Sequence, residues 1–379
     1  MTSPKKRLRI GVVFGGRSGE HEVSLVSAAS VIRALDSEKY EAVPIGITKD
    51  GRWLVGTGAV KLLGDVLKSG DRVMLPADPT AAQLVPVGPS SGQPSVIVDV
   101  VFPVLHGTFG EDGTVQGLLE LAGLPYVGAG VLASAVGMDK DVQKRLFEQA
   151  GLPIVPFLAV HRWEWERERV KVLREIKKKF RFPLFVKPAT LGSSVGMTRV
   201  KAAHELQGAM DLAAEFGLKI IVERGINGRE IEVSVLGNNE IRASIPGEIV
   251  PHREYYDYAA KYLEGGTELI IPAQLTKKQV ATFQDCAIRA FRAIDGTGMA
   301  RCDFFLDRKN GKIFVNELNT IPGFTSISMY PKLWEASGLP YTKLIDRLIE
   351  LALDLHREKA RTKYSIELPA GAGGALEGQ

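Results

Sequence analysis

Residues 299–320 read MARCDFFLDRKNGKIFVNELNT, two strand-forming stretches joined through Arg308-Lys309-Asn310-Gly311. Asn-Gly between alternating apolar residues is a strong hairpin signal, because tight hairpin turns need residues that accept a positive φ. Side chains alternate faces along a strand, so Arg301 and Asp303 share one face of the first strand, and Glu317 and Asn319 one face of the second. With Lys309-Asn310-Gly311 as the loop, Asp303 is expected opposite Glu317, to within one residue of register. Cys302, Phe304, Leu306, Phe314 and Leu318 are expected on the other, apolar face. A polar face of this kind is either solvated or the floor of a cleft, and the apolar partner face favours the cleft. Two carboxylates and an amide oxygen are hard donors, the set that holds Mg²⁺ together with substrate phosphates.

Three glycine-rich segments lie upstream. KPATLGSSVGM (187–197) places a lysine at a strand end before Gly192-Ser193-Ser194-Val195-Gly196, small residues whose N–H groups can wrap phosphate oxygens. It is not a Walker A loop, which must open a helix, whereas a strand follows here. FGGRSGEHEVS (14–24) follows a buried strand, but its G-G-x-x-G spacing differs from the dinucleotide fingerprint, which disfavours a nicotinamide oxidoreductase. It offers instead Glu20, His21 and Glu22 at a strand's carboxyl end, where a carboxylate suits a ligand's ammonium group, with Ser24 as a candidate helix cap. LHGTFGEDGTVQG (105–117) also ends a buried run: His106 is either a packed histidine or shares a pocket with Glu20, and Glu111 and Asp112 suit a helix N-terminus.

The chain has 379 residues, enough for two or three domains. Its net charge of +4, from 48 basic and 44 acidic residues, is too small to argue for nucleic acid or a polyanionic membrane surface. Two cysteines exclude a disulfide framework and a cysteine-based zinc site, and suit a reducing compartment. The apolar run Ile10–Phe14 is too short for a signal peptide, and no stretch is long enough to span a bilayer, so a cytoplasmic address is expected. The 40 glycines exceed the usual share of about 7% and are not periodic, which places them at particular turns.

Strand and helix signals alternate over the first third: strands at 8–14 and 41–47, a helix over 24–35, loops with short edge strands at 78–95, a continuous β-branched strand at 96–104 and a helix over 114–122. That order predicts an open parallel sheet with ligands at the carboxyl ends of its strands. From 129 to 227 the pattern is α+β, with a helix from Ser134 or Asp139 to Ala150, another at 165–179, strands at 182–187 and 197–200, a helix at 201–216 and a strand at 219–223. The last part is strand-rich (229–236, 241–250, 299–306, 312–318) with helices at 275–294 and 340–357. Domains are therefore expected at 1–128, 129–227 and 228–365, with 366–379 a disordered tail.

In order, GGRSGEHEVS, LHGTFGEDGTVQGLLELAGLPYVGAG, MDK, FVKPATLGSSVG, DYAAKY, RCDFF and NELNTIPGFTSIS make the chain, over about residues 8–360, resemble the D-alanine–D-alanine ligases of the ATP-grasp superfamily. The resemblance implies a three-domain ATP-grasp fold, α/β and α+β: an N-terminal open parallel sheet plus two α+β subdomains that sandwich ATP. It implies ATP-dependent, ADP-forming ligation of two D-alanines through a D-alanyl phosphate, for peptidoglycan precursor synthesis. By that resemblance Lys140 and Lys187 contact ATP phosphates, Ser193 and Ser194 close over the γ-phosphate, and Glu223, Arg224 and the backbone through Ile226 meet the adenine. Glu230 takes the ribose hydroxyls, Phe305 packs on the adenine, and Asp303, Glu317 and Asn319 hold two Mg²⁺ ions, for which Mn²⁺ can substitute. Glu20 with His106 nearby receives the first D-alanine, Arg301 and the Gly323 N–H stabilise the tetrahedral intermediate, and Ser328 with the Met329 main chain takes the second carboxylate. Lys261 and Tyr262 belong to a loop that covers the site, Tyr262 completing a Glu20–Ser193–Tyr262 contact. Tyr262 favours the dipeptide over the alternative D-alanyl-D-lactate product. Leu191 and Arg224 depart from other members. A homodimer is implied, and the intact polar set argues against a non-catalytic nucleotide-binding regulator.

Overall fold

In the computed structural model, which describes residues 6–56, 63–192, 195–251, 267–325 and 327–365, the first buried run forms β1 (Leu8–Gly15), followed by α1 (His21–Ala34) and β2 (Tyr40–Ile47). Then come β3 (Trp53–Val55), α2 (Leu63–Ser69), β4 (Asp71–Met74), β5 (Gln83–Pro86), β6 (Val96–Ile97), β7 (Val100–Pro103) and α3 (Thr114–Leu121). They build a seven-stranded sheet in the order β6-β5-β4-β3-β2-β1-β7, parallel only across β2-β1-β7 and antiparallel from β2 outward through β3 to β6. The expected continuous strand 96–104 is split, because Asp99 turns its carboxylate onto the Arg9 amide (2.7 Å) and guanidinium. Its first part pairs antiparallel with β5 and its second parallel with β1. Ile10, Val12 and Phe14 face one core and Val13 another, so both faces of β1 are buried, as a central parallel strand requires.

The helix after β1 begins at His21, a turn earlier than the 24–35 expected, and Ser24 is not its cap. Ser24 is buried: its hydroxyl accepts from the Gly15 amide (2.8 Å) and donates to the Val104 carbonyl, tying the ends of β1 and β7 together.

Two short helices follow, α4 (Val131–Met138) and α5 (Lys140–Gln149), separated by Asp139 rather than joined. Asp139 caps α5 by accepting from the amides of Asp141 (3.0 Å) and Val142 (3.2 Å). A four-stranded antiparallel sheet comes next, from β8 (Phe157–His161), β9 (Leu184–Pro188), β10 (Thr198–Val200) and β11 (Lys219–Arg224), with α6 (Arg162–Lys179) and α7 (Leu206–Phe216) on one face. Alternation sends Leu184, Val186, Ile220 and Val222 into that core, and Phe185, Lys187 and Glu223 to the opposite face.

The last sheet contains β12 (Gly228–Leu236), β13 (Arg242–Ala243), β14 (Gly247–Pro251), β15 (Thr267–Ile270), β16 (Met299–Asp307) and β17 (Ile313–Asn319). Its main order is β15-β14-β12-β16-β17, backed by α8 (Lys277–Ala293). Thr276 opens α8 with a reciprocal capping box to Gln279. Two more helices close the described chain: α9 (Met329–Ala336), which the sequence reading missed, and α10 (Tyr341–Lys359). They pack against the α1 side of the N-terminal sheet, with Trp334, Leu344 and Leu348 in one core with Val12 and Phe102. Among the described residues no helix is long and apolar enough to cross a membrane.

The 299–320 hairpin pairs Asp303 with Glu317 and Arg301 with Asn319, as the alternation argument expects. The route differs. The turn is one residue longer, with Leu306 opposite Ile313, and a β-bulge between Phe304/Val315 and Asp303/Glu317 leaves Asn316 as the extra residue. The bulge inverts the alternation, so Val315 enters the core and Phe314, expected there, instead pairs with Phe305 on the polar face.

Candidate active site

The polar faces of the second and third sheets confront each other across a cleft of about 710 Å³. Lys140, Lys187, Glu223, Arg224, Ile226, Glu230, Arg301, Asp303, Phe305 and Glu317 all line it. Arg224 lays its guanidinium over the Phe314 ring, 5.5 Å from the centroid. The Glu223 side chain is committed to protein, pairing with Lys187 and Lys144 at 2.8 Å each, and the hinge that follows it, Arg224, Gly225 and Ile226, lines the cleft. Burial opposes the Glu223 charge, but the two ammonium groups hold its pKa down to about 2. Burial also works against Lys187, yet Glu223 and Glu317 together raise its pKa. Lys144 is completely buried and was not anticipated from sequence, although it lies four residues after Lys140 and therefore on the same helix face.

On the floor, Arg301 grips Asp303 with two hydrogen bonds (2.7 and 2.6 Å) and pairs with Glu232 at 3.0 Å. Asn319 donates to Asp303 (3.0 Å), and Lys140 sits 3.3 Å from Glu317 while donating to the Leu191 carbonyl (2.9 Å). Among the described residues no three His, Cys, Asp or Glu side chains cluster as a metal site. The set here is two directly opposed carboxylates with an amide alongside, with Arg301 and Lys140 already supplying positive charge. That donor set fits Mg²⁺, whose remaining positions go to water and phosphate oxygens.

The N-terminal loops meet this cleft through Glu20. A Cβ on Gly107 would lie 3.1 Å from its Oε2 and one on Gly192 3.4 Å, so Glu20 sits between the 105–117 loop and the glycine-rich loop at 187–197. His106 is buried, with Nε2 3.2 Å from the Ser27 hydroxyl and Nδ1 3.2 Å from the Ile321 carbonyl. Burial pushes its pKa down, against the pull of the Glu20 carboxylate. Asp112 does serve the helix start, accepting from the Thr114 amide at 3.1 Å. Glu111 does not: it turns inward to accept from the Gly107 amide (2.7 Å). Burial, reinforced by the Glu20 charge, pushes the Glu111 pKa up to about 8.

Ser328 stands at the N-cap of α9, its hydroxyl accepting from the Thr325 amide at 3.0 Å. A Cβ on Gly323 would approach the Ser328 hydroxyl to 2.7 Å, so a larger residue there would displace that hydroxyl. The Met329 side chain is buried, so only its main chain, at the first turn of α9, can meet a ligand. Ser193, Ser194, Lys261, Tyr262 and the 366–379 tail lie outside the described residues.

The D-ala D-ala ligase N-terminus family model matches residues 9–129, and the D-ala D-ala ligase C-terminus model matches residues 146–350. A D-alanine–D-alanine ligase from Heliobacterium modesticaldum is 54% identical over 353 residues, 93% of this chain and 96% of that one. Another, from Thermoanaerobacter sp., is 51% identical over 364 residues, 94% and 99% of the two chains. Among solved structures, the D-alanine–D-alanine ligase from Coxiella burnetii superposes with a TM-score of 0.79 at 39% identity, covering 94% of this chain and 97% of that one. The VanG D-Ala:D-Ser ligase from Enterococcus faecalis gives 0.82 at 36%, covering 92% and 100%. With both models matched and relatives of this identity covering nearly its whole length, the chain belongs to the D-alanine–D-alanine ligase family.

Proposed function

We propose that the chain joins two molecules of D-alanine, with ATP converted to ADP and phosphate, for peptidoglycan precursor synthesis in the cytoplasm. The observation that carries this reading is the cleft between two antiparallel sheets. There Lys140 and Lys187 face Asp303 and Glu317, while Glu20 reaches the glycine-rich loop at Gly192.

The adenine lies along the hinge backbone from Glu223 to Ile226, stacked on Phe305, with Arg224 at the mouth and Glu230 on the ribose. Lys140 and Lys187 receive the phosphates, and Ser193 and Ser194 cover them. Asp303, Glu317 and Asn319 would hold two Mg²⁺ or Mn²⁺ ions, which when bound neutralise charge on the transferring phosphoryl group. Glu20 holds the first D-alanine's ammonium group, so its carboxylate faces the γ-phosphate and attacks it to give a D-alanyl phosphate. The Ser328 hydroxyl and the Met329 amide, at the positive end of α9, hold the carboxylate of the second D-alanine. Its free amine then attacks the acyl carbon. Arg301 and the Gly323 N–H stabilise the resulting oxyanion, and phosphate leaves. Lys261 and Tyr262 belong to the covering loop, which keeps water from the acyl phosphate. His106, with both ring nitrogens engaged by protein, orients Ser27 and the Ile321 carbonyl beside this site. Two copies of the chain form a homodimer.

A coupled assay with D-alanine and ATP tests the reading: one phosphate released per dipeptide formed supports it. ATP turnover that requires D-lactate would assign depsipeptide synthesis instead, and absence of D-alanine-dependent turnover would refute the reading.

A further inference from the structure

The face of α5 that carries Lys140 carries two more buried polar residues, Gln143 and Lys144. Both reach the outer edge of β17. The Gln143 side-chain amide pairs with both backbone groups of Leu318, donating to its carbonyl (3.0 Å) and accepting from its N–H (3.1 Å), and so covers the strand edge at that residue. Lys144 donates to the carbonyl of Asn316 at 3.0 Å. Asn316 is the extra residue of the bulge, and bulges turn a main-chain group out of the ladder. From the same ammonium, 2.8 Å away, Lys144 meets Glu223 on the adenine hinge. One lysine with no solvent exposure thus touches the hinge strand β11 and the bulge that sets Glu317 opposite Asp303.

Glu223 has a second cation, Lys187, also at 2.8 Å, but Lys187 lies at the cleft where phosphates would draw it away. A buried carboxylate that lost its sole cation would be an uncompensated charge in low dielectric, which is strongly unfavourable. Lys144 is screened from the cleft and stays. We propose that Lys144 is a positioning residue that holds Glu223 compensated while Lys187 engages nucleotide, and that pins the Asn316 bulge so that the hinge and the metal-ligand strand keep one geometry. This rests on the reading of the cleft as the nucleotide site.

The test uses the full chain with Lys144→Met, which keeps the stem length and removes the charge. The KM for ATP is expected to rise on the order of thirtyfold or more, as truncation of a buried charge partner does, while the KM for D-alanine stays within about twofold. The ATP defect should be smaller at pH 6 than at pH 8, because a Glu223 that has lost a cation takes up a proton more readily at the lower pH. Replacing Glu223 by Gln in the same chain should recover much of the ATP KM relative to Lys144→Met alone, which a lysine that only filled space would not allow. An unfolded single variant with a folded, ATP-binding double variant supports the same pairing. An ATP KM within threefold of the parent, a double variant no better than the single, or both variants unfolded overturns the proposal. Lys187→Met separates the two levels: if it weakens ATP binding while Lys144→Met does not, the proposal fails and the cleft reading stands. If neither variant alters ATP binding, the cleft reading itself fails.

Discussion

At the scale of single residues, the site is a set of charges held in place by opposite charges. Glu317 borders the cleft, paired with Lys140 and belonging to none of the apolar cores, so its carboxylate is not a packing group. Glu317→Gln should lower ligation on the order of a hundredfold, in line with losing one electrostatic stabiliser. Its melting temperature should move by no more than about 4 °C, roughly what 1 kcal/mol is worth in a domain of this size. Near-parent activity in that variant would remove Glu317 from the metal set. Glu111 carries a pH prediction. Its native pKa of about 8 lies above that of an exposed carboxylate, so the folded state binds the extra proton between those values and stability falls as pH rises through that window. Glu111→Gln imitates the protonated form and should melt like the parent near pH 5 but above it at pH 8.5. Equal melting temperatures at both pH values would show that Glu111 ionises freely. These residues also mark the limit of what was legible. Asp303, Glu317 and Arg301 were readable because alternation on a strand assigns faces. The inward turn of Glu111 depends on a loop whose path no local periodicity encodes, and the burial of Lys144 depends on a strand 172 residues away, reached through the Asn316 carbonyl at 3.0 Å.

At the scale of elements, most strands and helices fell near where the sequence placed them, but the strand expected over 241–250 is two, β13 and β14, and other deviations trace to particular residues. Asp99 broke one strand, Ser24 was drawn inward instead of capping, and the bulge at Asn316 moved Phe314 from the core to the cleft. The longer turn and the bulge offset each other in register, which is why Asp303 still meets Glu317. Helix α9 escaped notice because Pro331 and a short apolar run gave it no clear period. Helix α5 depends on its start. Asp139 caps it and also pairs with Lys219 at 2.6 Å, fixing the turn that presents Lys140. Asp139→Ala should cost about 1–2 kcal/mol of stability through the lost cap. That corresponds to a fall in melting temperature of roughly 2–8 °C, with a rise in the KM for ATP as Lys140 loses its support. A variant that melts with the parent would show that Lys219 and the helix interior suffice to hold that turn.

At the scale of the whole molecule, the cores do not divide the chain evenly. Among the described residues, the core of the central sheet draws on positions from Leu158 to Val222, so that unit buries its own apolar surface. The N-terminal sheet does not: the face behind α1 is closed by Tyr330, Trp334, Leu344, Ile345 and Leu348, more than 200 residues later in the chain, and Lys39 reaches Asp346 at 2.7 Å across the same contact. These cores predict two different behaviours for pieces excised near the expected boundaries at 128/129 and 227/228. A fragment of residues 154–226 should unfold cooperatively, reported by the buried Trp165, whose indole donates to Asp211 at 2.9 Å, though with only a few kcal/mol in hand at this size. A fragment of residues 1–130 should lack a cooperative transition and bind a hydrophobic dye, because the α1 side of its sheet loses the cover of α9 and α10. Adding a separately expressed piece that carries α9 and α10 should suppress the dye signal. Cooperative, dye-silent unfolding of 1–130 alone would show that α1 and α2 cover the sheet unaided.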